Sequence, residues 1–135
     1  MADRSATAVS LDDIPTLASN LSEPEWKPLR LHFGIESFGV NAWRAREAGQ
    51  LLIERHTETE DSETRHEELY VVTAGRATFE VDGESLDAPA GTLVHVPDPD
   101  SVRQAMADEA GTTVFVVGGA PGEAFSPSAW EVKYA

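Results

Sequence analysis

The sequence predicts an all-β protein in which short antiparallel strands form a sandwich or a barrel. Its central stretch, residues 66–103, reads HEELYVVTAGRATFEVDGESLDAPAGTLVHVPDPDSVR. The strand-like parts of this stretch are rich in β-branched and aromatic residues, and turn residues separate them at short intervals. The Asp82-Gly83 pair is a strong signal for a two-residue hairpin, and no helical period appears between the strands. This density of short strands is typical of an antiparallel sandwich or barrel.

Composition limits the classes of protein that remain. The chain has 135 residues, which suits one domain with a single core. A formal net charge of -14 disfavours nucleic acid and anionic membranes as partners. Solubility alone is a sufficient explanation of this acidity. The absence of cysteine excludes a disulfide framework, a thiolate zinc site and a cysteine nucleophile. The N-terminus has no apolar stretch like that of a signal peptide, and no apolar run approaches the length of a membrane span, so we expect a cytoplasmic protein.

The N-terminal part is expected to contain little regular structure before the first strands. We expect residues 1–20 to form a flexible segment, with one helical turn from Leu11 to Ala18 that Ser10 caps. Prolines interrupt residues 21–27, which we predict to be an extended connection. Alternation of apolar and polar residues then predicts strands over residues 29–33, 38–45 and 50–57.

The hydrophilic segment Thr57–Arg65 has no apolar residue to anchor it, so we predict a solvated hairpin loop. Gly118-Gly119 follows a strand without opening a helix, and we interpret it as a turn. The barrel domain is therefore expected over 21–122, followed by a closing segment, 123–135, that packs back onto the barrel through Phe125 and Trp130. The strands predicted after the hydrophilic segment are 69–72, 77–81, 84–86, 92–96, 104–107 and 112–117.

Two spacings in the central stretch resemble the motifs of the cupin family. Glu68, six residues and Gly75 are similar to the second half of the first motif, G(X)5HXH(X)3,4E(X)6G. Gly91, five residues and Pro97 are similar to the start of the second motif, G(X)5PXG(X)2H(X)3N. The resemblance covers roughly residues 49–119. It implies a cupin double-stranded β-helix, a jelly-roll barrel, with short N-terminal and C-terminal extensions. Small single-barrel cupins often pair, so it also implies a homodimer.

The resemblance implies a metal site, but most of its ligands are missing. Cupins hold iron, manganese, nickel or zinc with two histidines and a glutamate from the first motif and a histidine from the second. Of these ligands, only the glutamate, Glu68, is matched in this sequence. The positions that the motifs assign to histidines hold Asp61 and Glu63, Ser62 and Thr64, or Arg55 and Thr57 in the first motif, and Val102 in the second.

A rearranged metal site remains open. His66, Glu68 and Tyr70 are two residues apart, so a strand would present all three on one face. His56 could approach from the preceding strand and His95 from a later one. The candidate metal ligands are therefore His56, His66, Glu68 and His95, provided that each faces the interior. The alternatives are a solvated His56, an exposed His66 at a strand start, and a partly buried His95 bonded to backbone.

A ligand pocket is the second kind of site that the residues suggest. Glu68, Tyr70, Arg103 and Trp43 are its candidate lining residues. Arg103 could compensate a buried Glu68 or bind the carboxylate of an anionic ligand, and the alternative is a surface salt bridge. Tyr70 and Trp43 could equally be core residues.

Three functions are compatible with these observations. The first is a binding module that holds a small organic molecule in the barrel. The second is a metal-dependent enzyme of the dioxygenase, isomerase or lyase type, which is the activity that the resemblance implies for metal-bearing relatives. The third is a scaffold subunit that dimerises through an outer sheet face. Because the usual ligands are missing, we favour the first function, and the sequence names neither the ligand nor a certain cofactor.

Overall fold

The computed structural model describes residues 5–17, 20–60 and 64–134. Two short helices are found there, α1 (Leu29–Phe33) and α2 (Ala129–Val132), together with a 3-10 turn over Leu11–Asp13. The rest of the regular structure is strand. In chain order, the strands are β1 (Glu25–Lys27), β2 (Gly39–Arg44), β3 (Leu51–His56), β4 (Glu67–Ala74), β5 (Arg76–Val81), β6 (Glu84–Pro89), β7 (Leu93–Val96), β8 (Arg103–Ala107) and β9 (Thr113–Gly119).

The strands form two antiparallel sheets, which confirms the predicted all-β class. Sheet A has the order β1-β2-β9-β4-β7, and sheet B has the order β3-β8-β5-β6. Several neighbouring strands within a sheet come from distant parts of the chain, as in β2 beside β9 and β3 beside β8. The two inner faces share one apolar core, in which the rings of Tyr70 on sheet A and Phe79 on sheet B lie 5.4 Å apart.

Strand alternation decides which side chains face this core. Val94, Val96 and Val114 are buried in it, as the pleat of a strand requires for residues at alternate positions. The opposite face of β7 carries Leu93 and His95, which are exposed. Because Tyr70 is in the core, Glu68 at two residues' distance also points towards the barrel interior. The predicted shared face of these two residues is thus confirmed.

The Asp82-Gly83 hairpin forms as predicted. Val81 pairs with Glu84, and both loop residues have positive φ, +51° for Asp82 and +83° for Gly83. These angles are those of a type I′ turn, whose twist matches that of the flanking strands. The return strand β6 is longer than predicted, because it pairs with β5 as far as Pro89.

Residues 29–33 are a helix, so the predicted strand is wrong. Pro28 precedes the helix, and Gly34 ends it in the left-handed conformation, with its N–H donated to the carbonyl of Arg30. Over five residues an alternating pattern fits one helical turn as well as a strand. Here Leu29 packs with Ile14 and Ala42 on the outer face of sheet A, and this contact selects the helix.

The segment after β3 is also different from the prediction. Its first residues, Thr57 and Glu58, are buried, and β3 and β4 belong to different sheets. The segment therefore crosses between sheets and is not a solvated hairpin loop. The histidine positions that motif counting gave at 61–63 lie outside the described residues, as does Ala18 at the end of the predicted N-terminal turn.

The described segments before β1 and after β9 pack onto the barrel. Ser10 caps the 3-10 turn, and buried Lys27 donates from Nζ to the carbonyl of Ile14 at 2.8 Å. Trp130 lies against Trp26, as predicted for the closing segment.

Gly118-Gly119, predicted as a turn, is the end of β9. None of the helices among the described residues has the length and apolar character to cross a membrane.

Candidate functional site

A cavity of about 620 Å³ lies between the inner face of sheet A, β3 and the C-terminal segment. This volume is within the range of small-molecule pockets, roughly 300–1,000 Å³. The lining combines aromatic and ionisable side chains, and it includes all three tryptophans of the chain. The aromatic lining residues are Trp26, Trp43, Tyr70, Phe125, Trp130 and Tyr134. The ionisable ones that cluster together are His56, Glu58, His66 and Glu68.

His56, Glu58 and Glu68 form the centre of this cluster. His56 ends β3, Glu68 lies in β4, and Glu58 belongs to the crossing segment between them. The Nε2 atom of His56 is 2.9 Å from a carboxylate oxygen of Glu58 and 3.9 Å from Oε1 of Glu68. One nitrogen and two carboxylate oxygens of the three residues all lie within 4.8 Å of one another.

His66 extends the cluster towards the C-terminal segment. Its Nδ1 is 3.5 Å from Oε1 of Glu58, and its Nε2 is 2.8 Å from the carbonyl oxygen of Ser126. Its ring stacks on Phe125 with centroids 5.2 Å apart. His66 is 6% exposed, so the alternative of an exposed residue at a strand start is wrong.

Both histidines are placed to carry a positive charge. The ring nitrogens of His56 face the carbonyl of Glu54 at 2.7 Å and the carboxylate of Glu58 at 2.9 Å. Those of His66 face a carbonyl and the same carboxylate. Since carbonyl and carboxylate oxygens only accept hydrogen bonds, a ring that satisfies both of them must donate from both nitrogens.

The pKa directions agree with this assignment. Burial would lower the pKa of His56 and of His66, but the hydrogen bonds to Glu58 and to a backbone carbonyl, together with the charges of Glu58 and Glu68, outweigh it and raise both. Burial would raise the pKa of Glu58, but the hydrogen bonds from His56 and His66 lower it to about 2. Glu58 is therefore a carboxylate held between two imidazolium rings.

Glu68 has a different environment. Burial, followed by the nearby charge of Glu58, raises its pKa despite the hydrogen bond from Tyr70 and the charge of Arg103. The Tyr70 hydroxyl donates to Oε1 of Glu68 at 2.5 Å, and Nη1 of Arg103 donates to the same oxygen at 2.8 Å. Burial and the same carboxylate raise the pKa of Tyr70 well above its ordinary value.

Arg103 supports Glu68 without lining the cavity. It is fully buried, and its other donors reach the carbonyls of Asp98 at 2.9 Å and Ser101 at 3.1 Å. The predicted pairing with Glu68 is present. The predicted contact of Arg103 with a ligand carboxylate is not available, because its side chain is fully buried and does not line the cavity. The exposed alternative, a surface salt bridge, is excluded by the burial.

The structure brings together most of the residues that the sequence singled out. His56, His66, Glu68 and Tyr70 converge, and Trp43 lines the same cavity. His95 does not join them, because it is on the outer face of β7. There its Nε2 atom pairs with Glu67 at 2.6 Å, and its side chain is 55% exposed. A contribution of His95 to an interior metal site is incompatible with this position.

Sequence reasoning missed Glu58. Glu58 lies in the most hydrophilic part of the chain, which predicts that it is exposed, yet its side chain is buried. The one usable signal was the spacing His56-x-Glu58, which can place both side chains on one side of an extended segment. Glu131, buried at the other end of the chain, was also missed, and no local pattern indicates it.

The cluster has donors that suit a divalent ion. One imidazole and two carboxylates are ligands that manganese, iron and zinc accept in proteins. Among the described residues, no hydrogen bond reaches Oε2 of Glu68, so this oxygen is available. His56, Glu58 and Glu68 could therefore hold a metal ion, in exchange for the proton on Nε2 of His56.

Two antiparallel sheets closed around an interior site define the cupin class of fold, the double-stranded β-helix. Solved structures confirm this assignment. A sugar phosphate isomerase of the cupin superfamily from Silicibacter pomeroyi matches with a TM-score of 0.66 and 23% identity, over 83% of this chain and 74% of that chain. A Klebsiella pneumoniae protein with a double-stranded β-helix domain matches with a TM-score of 0.63 and 24% identity, over 89% and 94%. An RmlC-like cupin from Shewanella frigidimarina matches with a TM-score of 0.62 and 14% identity, over 90% of this chain and 95% of that chain.

At these identities the likeness establishes the fold and not an activity. No protein-family model matches the sequence, and the search of curated proteins gave no match. The function therefore has to be argued from the site.

Proposed function

We propose that this cupin-fold protein binds a small organic molecule in its barrel cavity. The observation that carries the proposal is the cavity itself, about 620 Å³ in volume, which joins an aromatic wall to the cluster of His56, buried Glu58 and Glu68. Pockets of this kind use apolar walls for affinity and a few convergent polar groups for orientation.

The polar groups indicate the chemistry of the ligand. Oε2 of Glu68 is an acceptor available for a hydroxyl or amine donor of the ligand, and His56 and His66 are donors shared with Glu58. The lining carries charges of both signs, because Arg55, Lys133 and the two histidines accompany its glutamates. We therefore propose an uncharged polar molecule, in contrast to the phosphorylated substrate that the name of the Silicibacter protein implies for that protein.

A matched pair of substitutions tests the cavity. Val116 lines it, and the next residue, Val117, lies on the opposite face of β9 and is 38% exposed. Small polar molecules would be screened against the unmodified protein by tryptophan fluorescence, because all three tryptophans line the cavity. Hits would then be measured by calorimetry with Val116→Trp and Val117→Trp. We expect Val116→Trp to abolish binding and Val117→Trp to retain it, whereas equal binding by both would contradict the proposal.

A metal-dependent enzyme is the second candidate, and the ligand atoms of His56, Glu58 and Glu68 within 4.8 Å favour it. A divalent ion there would supply Lewis-acid activation of a bound oxygen. The residues of the chain would orient the ligand and, through Tyr70 and Arg103, hold Glu68 in place.

Metal content separates the two candidates. Protein purified without a histidine tag would be incubated with iron, manganese, nickel or zinc and analysed after desalting. About one equivalent that is lost in Glu58→Ala and Glu68→Ala, but kept in His95→Ala, would support the metal site. The His95 variant is the matched control because it removes an imidazole from the outer face. Retention of metal by the Glu68 variant would argue against this site.

A further inference from the structure

The C-terminal residues 125–134, which we call the cover segment, form one wall of the cavity. Phe125, Trp130 and Tyr134 all line it. The Trp130 ring is 5.3 Å from that of Trp26, and the Tyr134 ring is 4.9 Å from it. Access to the cavity from this side therefore depends on where the cover segment lies.

The cover segment is held differently from the barrel strands. Its described backbone hydrogen bonds are internal, such as Glu131 N–H to the carbonyl of Ser128 at 3.0 Å. None of the described backbone-to-backbone hydrogen bonds joins it to the barrel. Trp130 and Tyr134 also remain 42% and 46% exposed, so the apolar contact that holds the segment is incomplete. Segments of this kind open at a lower free energy than the strands beneath them.

The strongest attachment of the cover segment is a buried carboxylate. Glu131 is 4% exposed, and it pairs with the guanidinium of Arg30 on α1. Its Oε1 accepts from Nδ2 of Asn41 at 2.9 Å, and Oδ1 of Asn41 accepts from the indole N–H of Trp26 at 3.0 Å. These side-chain bonds fix α2 against sheet A.

A second attachment connects the cover segment to the ionisable cluster. The ring of Phe125 stacks on His66, which also contacts Glu58. Phe125 fits because residue 39 is glycine, since a Cβ at Gly39 would lie 3.0 Å from the Phe125 ring. The guanidinium of Arg30 also lies over the Phe125 ring, 5.7 Å from its centroid.

From these contacts we propose that the cover segment opens as a unit to give access to the cavity, with the Glu131–Arg30 pair as its latch. Opening breaks side-chain contacts and the hydrogen bond between His66 and the carbonyl of Ser126, and it leaves both sheets intact. The proposal concerns access to the cavity, so it does not depend on the identity of the ligand.

The chain has no cysteine, which allows a clean thiol-accessibility experiment. Val116→Cys places one thiol of similar size in the cavity wall, where the native side chain is 7% exposed. Its rate of reaction with 5,5′-dithiobis(2-nitrobenzoate) reports how often the cavity opens. In this background, Glu131→Gln should raise the rate at least about tenfold, because a hydrogen-bonded charge pair is lost. Glu123→Gln, which changes an exposed glutamate just before the cover segment, should leave the rate unchanged.

The dependence on urea distinguishes opening of the cover segment from global unfolding. Local opening exposes little surface, so the labelling rate should rise only slightly with urea. Arg30→Gln removes the same latch from the barrel side and should raise the rate by a similar factor. An unchanged rate in both latch variants would overturn the proposal. A rate whose urea dependence equals that of equilibrium unfolding would overturn it as well.

Discussion

Two histidine–glutamate pairs of the molecule share their chemistry and differ in burial, one on the outer face of sheet A and the other in the cavity. His95 and Glu67 are 2.6 Å apart on the outer face, with side chains 55% and 41% exposed. His56 and Glu58 are 2.9 Å apart in the cavity, with side chains 25% and 5% exposed. The shorter distance belongs to the pair that is in solvent.

Burial, and not distance, decides which pair can act as a site. Water and salt screen the outer pair, so its charges contribute little to stability. The inner pair is in a medium of lower dielectric constant, where each charge strongly affects its neighbours. The lowered pKa of Glu58 and the raised pKa of His56 are the consequence. The difference can be tested by removing one partner from buried and from exposed pairs.

The largest effect is expected for Arg103→Ala. It would leave the buried Glu68 without its cation, and breaking a buried pair in this way costs about 3–5 kcal/mol of unfolding free energy. The loss should decrease as the pH falls, because the raised pKa of Glu68 favours uptake of the proton that removes its charge. Urea unfolding at pH 5 and pH 8 measures both effects. Arg76→Ala is the matched control, because the Arg76–Asp87 pair is 50% and 66% exposed. Equal losses in the two variants would contradict the role of burial.

A smaller, pH-dependent effect is expected for Glu58→Gln. The lowered pKa of Glu58 contributes stability that is present above its ordinary value of 4.5 and is lost as the pH falls towards about 2. The raised pKa values of His56 and His66 contribute stability that is present below 6.5 and is lost as the pH rises through the raised values. The contribution of the cluster is therefore largest between about pH 4.5 and 6.5.

In that window, we expect Glu58→Gln to lower the free energy of unfolding by about 1.5–3 kcal/mol, the value of hydrogen bonds to charged groups. The penalty should decrease as the pH rises through the raised pKa values of the two histidines, and as it falls from 4.5 towards the lowered pKa of Glu58. Urea unfolding curves across this range measure it. A penalty that is constant with pH would show that the histidines are not protonated partners of Glu58.

The smallest effect is expected for the outer pair. Glu67→Gln should change the free energy of unfolding by less than about 0.5 kcal/mol, as is usual for exposed ion pairs. Any change should disappear in 1 M salt, because the Debye length there is about 3 Å. The same urea unfolding experiment, repeated at low and high salt, measures this change and its dependence on salt. A loss comparable to that of Glu58→Gln would remove the distinction between the two faces.

Much of the barrel could be predicted from local sequence. Period-two alternation identified the inward face of β4, and Asp82-Gly83 fixed the register of its hairpin, because both signals depend on a few neighbouring residues. The strand prediction for residues 29–33 failed because five residues are too few to distinguish one helical turn from a strand. The deciding contacts of Leu29, with Ile14 and Ala42, come from outside that window.

The site was less predictable because its members are stabilised by distant partners. Glu68 and His66 were found from alternation on a strand. Glu58 is buried only because His56 and His66 neutralise it, and such an interaction leaves no trace in a local hydropathy pattern. Glu131 likewise depends on Arg30, about one hundred residues earlier in the chain. Charged residues that are buried in pairs are the residues that composition assigns to the surface.

The position of β9 has a consequence for synthesis of the protein. Although β9 is the last strand, it lies between β2 and β4 and pairs with both. A nascent chain that ends before residue 113 therefore lacks the centre of sheet A, and β2 and β4 have exposed edges. The β5–β6 hairpin can form early from neighbouring residues, whereas closure of sheet A must wait until β9 has emerged from the ribosome. Until then the unpaired edges of β2 and β4 are where chaperones would be needed most.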